Sequence, residues 1–129
     1  MPQKFDRRRI YKLPYMEWRN EMKAGILTFH DTTNFGAVLQ TVSTYKAVTA
    51  LGYTAEIINY HCASIDKREI PSKDYSLRGL TSYSYIKKQI KKHNILLSFL
   101  NAEANVTSNL FYKDTISKCT KDYDIFIDG

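Results

Sequence analysis

Ala24-Gly25-Ile26-Leu27-Thr28-Phe29 is a near-continuous apolar run, and together with the loop and helix after it this run decides the fold. Runs of this kind suit strands buried on both faces, as in parallel sheets. A polar loop rich in Asp, Thr and Asn spans His30 to Phe35. Gly36 to Leu51 then reads as a helix, because Val38, Val42, Tyr45 and Val48 recur at helical spacing and share one face. Leu39 and Leu51 flank that stripe, and Gly52 is placed to end the helix in a left-handed cap. Thr54 to Tyr60 (TAEIINY) is a second strand centred on the β-branched pair Ile57-Ile58. Strand, loop, helix, turn, strand is a βαβ unit, for which a right-handed crossover is expected.

The rest of the chain extends this pattern. His61 to Ser82 is polar and carries the breakers Pro71 and Gly79, so it is expected to be a long loop. Tyr83 to Leu100 is predicted helical, with Ile86, Ile90 and Leu97 on one side and Lys87, Lys88, Lys91 and Lys92 around the other. His93-Asn94 is a candidate break within it. A short helix is expected over Tyr112 to Lys121, and Tyr123-Asp124-Ile125-Phe126-Ile127 reads as a third strand ending at Asp128-Gly129. The fold class is therefore α/β, a Rossmann-like parallel sheet with flanking helices, over residues 22–129. Residues 1–21 show neither a helical nor a strand period and read as a basic leader, disordered or preceding the natural start at Met22.

Composition narrows the function classes. At 129 residues the chain has room for one domain on the scale of roughly 100–200 residues. With 43% hydrophobic and 25% charged residues it falls with folded rather than disordered chains. No apolar run approaches the roughly 20 residues that cross a bilayer. Arg7, Arg8 and Arg9 are not followed by the apolar stretch of a signal peptide, so a cytoplasmic location is expected. Half of the +6 net charge sits in residues 1–22, which hold six Lys/Arg against three Asp/Glu. The body is only mildly basic, so nucleic acid is not an expected partner. A basic nucleic-acid or surface-binding module is the alternative that the leader and the lysine helix keep open, and it predicts steeply salt-dependent binding. Cys62 and Cys119 form no C-x-x-C pair and read as buried or incidental thiols, with no metal site expected. G-x-G-x-x-G, a Walker loop and G-x-S-x-G are all absent, which argues against dinucleotide, P-loop and nucleophile-elbow chemistry.

In an open α/β sheet, ligands bind beyond the carboxyl ends of the strands. The loop from His30 to Gly36 lies at such an end, as do Asn59-Tyr60-His61 and Asp128-Gly129. His30 is the candidate catalytic acid or base, since a free imidazole titrates near neutrality; its alternative role is to hydrogen-bond its own loop. Asn34 and Asp31 are candidate ligands or ordinary loop and capping residues. Gly36 is expected to serve close backbone approach or a backbone angle that a β-carbon would oppose. The helix beginning there is expected to aim unpaired N–H groups at an anion in the crevice. Gln40, one turn along, and Asp128 complete the candidate substrate-binding set.

Several words in this order are more specific than the fold. Met22-Lys23-Ala24-Gly25-Ile26-Leu27-Thr28-Phe29-His30 precedes Asn34-Phe35-Gly36-Ala37-Val38-Leu39-Gln40. Leu51-Gly52-Tyr53, Glu56-Ile57-Ile58-Asn59-Tyr60 and Tyr123-Asp124-Ile125-Phe126-Ile127 come next. The set resembles the opening of the polysaccharide pyruvyl transferase family, with its first strand ending in T-x-H, its N-[YF]-G-A-x-L-Q block and its E-[IV]-I-[ND]-Y and Y-D-x-F-I strands. The resemblance covers residues 22–129. Asp128 departs from it, standing where the family carries a small or apolar residue. At Gly129 the family continues into S-D-Q-x-W. The resemblance implies the N-terminal lobe of a two-domain, GT-B-like transferase. Its activity would be transfer of a pyruvate ketal from phosphoenolpyruvate to a sugar of a bacterial surface polysaccharide. The implied partners are a sugar or polysaccharide precursor and a C-terminal lobe or second chain; no resident cofactor is implied. Residues 22–129 alone are then expected to be inactive, and a truncated non-catalytic fragment is the remaining alternative.

Overall fold

The computed structural model describes residues 22–71 and 83–129. The expectations for the leader 1–21 and for the loop over 72–82 lie outside the described residues. The elements are β1 (Lys23–Leu27), α1 (Phe35–Ala50), β2 (Thr54–Ile57), α2 (Ala63–Glu69), α3 (Tyr83–Glu103), a 3-10 helix (Ile116–Asp122) and β3 (Ile125–Asp128). The three strands form one parallel sheet in the order β2-β1-β3. This is an α/β fold with flanking helices, consistent with a Rossmann-like arrangement.

The apolar run over β1 is explained by burial on both faces. Ala24 and Ile26 point to one side with Ala55 and Ile57 of β2, against Val38, Val42 and Val48 of α1 and Leu96 and Leu100 of α3. On the other side Leu27, Ile58 and Tyr60 meet Cys119, Tyr123, Phe111 and Ile116. Ile26, Ile57, Ile58 and Leu100 are fully buried, and each such side chain contributes about 1.5–3 kcal/mol over an exposed one. Gly25 sits where two elements press on the strand: a β-carbon there would lie 2.9 Å from Ile58 Cδ1 and 3.0 Å from Tyr123 Cγ.

α1 starts and stops where its sequence directs. The Asn34 side chain accepts from Gly36 N and Ala37 N, and Gly52 comes after the helix with φ 94°, a conformation that favours glycine. The outer edge of β2 is covered rather than open. Val106 and Phe111 make parallel bridges to Ile57 and Tyr60, and Phe111 N donates to Asn59 O while His61 N donates to Phe111 O. This pairing carries the chain past the end of β2 in a fixed path.

Four expectations are corrected. α3 runs unbroken through His93-Asn94, because neither residue costs more than about 0.7 kcal/mol in a helix and Leu96 and Leu100 anchor the next turns to the core. The expected loop from His61 contains α2, a two-turn helix with no buried residue and hence no apolar period to read. The short helix near residue 112 is a 3-10 helix over Ile116–Asp122 that buries Cys119. β2 ends at Ile57, three residues early, where its neighbours change to isolated bridges. Of the two thiols, Cys119 is buried and Cys62 is partly exposed beside Ser64. Among the described residues, no helix is long and apolar enough to cross a membrane.

Candidate functional site

Parallel strands place the residues just beyond them on one edge of the sheet. His30 comes after β1, and Asn59 and His61 come after β2. His93, from the middle of α3, joins them through Asp31. All three histidines of the chain therefore converge at the carboxyl edge.

His30 is buried, 3% exposed. Its Nδ1 lies 3.2 Å from Thr28 O, and since a carbonyl only accepts, Nδ1 carries the proton. Its Nε2 lies 3.2 Å from Asn59 Oδ1. The same Asn59 oxygen lies 2.9 Å from Nε2 of His61, whose Nδ1 is 2.9 Å from Asp66 Oδ2 in α2. The two rings meet edge to face with centroids 6.1 Å apart. One amide thus bridges two imidazoles. With its oxygen turned to them, both Nε2 atoms must donate, and each ring carries a second proton on Nδ1. With its nitrogen turned to them, the amide donates to both, and both rings are neutral with every partner kept. The orientation of Asn59 and the charge of the pair are therefore linked.

Asp31 completes the cluster. Oδ1 accepts from His93 Nε2, and Oδ2 lies 3.7 Å from His61 Nε2. Asp31, His61 and His93 side chains are 20%, 12% and 13% exposed, so the carboxylate is half-sheltered and its attraction for the rings is only partly screened. The supporting contacts are local and numerous. Thr32 Oγ1 donates to Glu69 Oε2 at 2.9 Å, and Asn34 N donates to Thr32 Oγ1. Thr28 and Thr41 share a buried hydroxyl contact at 2.8 Å, tying the end of β1 to α1. Asn59 N is held 2.9 Å from Thr107 Oγ1 on the segment that covers β2.

A cavity of about 310 Å³ lies between α2 and α3, lined among others by Thr33 of the loop after β1, Lys67, Arg68 and Glu69 of α2 and Tyr85 and Gln89 of α3. Gln89 precedes His93 by one helical turn, so both lie on one face of α3. Cationic and amide side chains around such a volume suit an anionic or hydroxyl-rich small molecule. Among the described residues, no group of three or more His, Cys, Asp or Glu is arranged to hold a metal ion.

The residues expected from sequence fare differently. His30 is at the centre, with both ring nitrogens engaged by its own loop and by Asn59. Asn34 caps α1, and the expected row of unpaired N–H groups is not there: Gly36 N and Ala37 N donate to its side chain at 3.0 and 3.3 Å, and Val38 N donates to its carbonyl. Gly36 has no positive φ, and a β-carbon would meet only Asn34 Oδ1 at 3.4 Å, so its backbone needs no glycine. Gln40 is exposed on α1. Asp128 is exposed at the end of β3, where Gly129 N donates to Leu27 O, so the ends of β1 and β3 are neighbours as expected. Asp31, a minor candidate by sequence, is the hub. Sequence reasoning places Asn59 and His61 at the sheet edge without assigning them a role, and misses Asp66 and His93; that two of the three histidines lie just beyond strands is the signal available.

No protein-family model, curated protein or solved structure matches the chain.

Proposed function

We propose that this chain is the N-terminal lobe of a polysaccharide pyruvyl transferase-like enzyme of two-domain, GT-B-like architecture. The observation that supports this reading best is the convergence of His30, His61 and His93 with Asp31 and Asp66 at the carboxyl edge of a parallel sheet. That edge carries the T-x-H and N-F-G-A-V-L-Q words of the family resemblance.

The reaction fits such a site. Two sugar hydroxyl oxygens bond to C2 of phosphoenolpyruvate. One hydroxyl proton ends on C3, which becomes a methyl group. The C2–O bond to phosphate breaks, and the other proton leaves with the phosphate. The enzyme must therefore move two protons and hold an anionic donor, and it needs no redox centre. Histidines serve the first task and the Lys67-Arg68 side of the neighbouring cavity serves the second. Residues that bind the donor in full belong to a C-terminal lobe or second chain in this reading. Phosphoenolpyruvate as co-substrate puts the reaction in the cytoplasm, on a precursor of a surface polysaccharide.

The test is to supply the gene product, with its second lobe, with phosphoenolpyruvate and a panel of nucleotide- or lipid-linked sugars. Phosphate release should accompany a new ketal methyl singlet in the proton NMR spectrum, and His30→Gln and His93→Gln should reduce both. Phosphoenolpyruvate left intact across the panel would overturn the reading. Salt-dependent binding to nucleic acid instead would favour the basic-module alternative.

A further inference from the structure

Counting ring nitrogens separates the three histidines. His30 has Thr28 O on one nitrogen and Asn59 on the other. His61 has Asp66 on one and Asn59 on the other, with Asp31 nearby. His93 has Asp31 on Nε2, and among the described residues nothing on Nδ1. A base needs an unshared lone pair within reach of its proton, so the two rings with both nitrogens engaged are the two least suited to the task.

We infer that Asp31 and His93 form the proton-transfer pair of this site, with His93 Nδ1 as the base, and that His30, Asn59 and His61 position them. This deepens the transferase reading and rests on it for the substrate, a sugar hydroxyl, but not for the identity of the base. The pair works as a carboxylate-oriented imidazole. Asp31 accepts from Nε2–H, which fixes the tautomer and leaves the lone pair on Nδ1. As the second sugar O–H bond breaks and its oxygen bonds to C2, the C2–O bond to phosphate breaks and the hydroxyl proton moves to Nδ1. The ring becomes an imidazolium whose charge the Asp31 carboxylate stabilises. The proton then passes to the departing phosphate oxygen, and the ring is neutral again.

The placement supports this division. His93 lies one helical turn beyond Gln89, which lines the cavity between α2 and α3. His30 is buried under the loop and braced by Thr28. It is a positioning residue, acting through Asn59.

Because the chain has three histidines, each can be tracked separately in the wild-type protein. The experiment is timed carbethoxylation with diethyl pyrocarbonate, read site by site by peptide mass spectrometry. The reagent attacks an unshared imidazole lone pair, so His93 should react at least about tenfold faster than His30 and His61, which react only after local opening. Equal rates, or His30 or His61 leading, would overturn the assignment and leave the transferase reading standing. Selective reaction at His93 in a protein that transfers no enolpyruvyl group would overturn the transferase reading and leave the base assigned.

Discussion

Asp31 joins His93 and His61: Oδ1 accepts from His93 Nε2, and Oδ2 lies 3.7 Å from His61 Nε2. One carboxylate at the end of β1 thereby fastens α3 to the residue that leaves β2. Removing its charge should loosen three elements at once. Asp31→Asn is expected to lower stability by about 1.5–3 kcal/mol, the range for a hydrogen bond to a charged group. Urea denaturation monitored by far-UV circular dichroism reads it directly. A midpoint within error of the wild type would mean that the cluster contributes nothing to folding.

Capping and ligand roles at the start of α1 separate by mutation. Asn34→Ala should cost about 1 kcal/mol, since its side chain holds Gly36 N and Ala37 N. Gly36→Ala should be neutral or stabilising by up to about 1 kcal/mol, because the backbone there is ordinary and the β-carbon has room. A destabilised Gly36→Ala would show that the start of α1 is more crowded than the 3.4 Å approach to Asn34 Oδ1 allows.

Gly25 is the opposite case. A methyl group there would meet Ile58 Cδ1 at 2.9 Å and Tyr123 Cγ at 3.0 Å, both in buried side chains. Gly25→Ala should destabilise by about 1–3 kcal/mol through overpacking. Thermal unfolding of the two glycine variants side by side is the check: one melting point falls and the other does not.

Tyr123 gives the fold an alkaline limit. Burial pushes its phenol well above the usual range, and the hydrogen bond to Glu56 Oε2 at 2.7 Å pushes it further. Below the ordinary phenol value of about 10, folded and unfolded chains both keep the proton. Above it the unfolded chain loses the proton first, so this contribution to stability is full below about pH 10 and falls as pH rises toward the folded value. Tyr123→Phe should cost about 1–3 kcal/mol at neutral pH and remove that part of the alkaline slope. Denaturant midpoints for both proteins from about pH 8 to pH 11 compare the slopes (about one phenol's worth of difference is expected).

Much of the site is hidden from the sequence for physical reasons. His30 is visible because it ends an apolar run, and Asn34 because a cap precedes a helical stripe. His93 reads as a polar residue within a lysine-rich helix, and Asp66 lies on a helix that buries nothing. Neither has a local pattern, since each matters through a partner elsewhere in the fold. Gly36 misleads in the other direction: glycine at a helix start suggests a conformational need, and its actual backbone has none.

The sequence by itself determined the β1–α1–β2 unit. Its signals are local: the apolar run, the spacing of Val38, Val42 and Val48, the Asn34 cap and the left-handed Gly52 all act within a few residues. Only the tertiary structure decided which partners each histidine meets. Asp31 and His93 are 62 residues apart, and His30 and Asn59 are 29 apart. Their meeting depends on parallel pairing that aligns the ends of β1 and β2, and on the packing of Leu96 and Leu100 that lays α3 across them. Such contacts arise from burial summed over the whole core, and no window of sequence contains that sum.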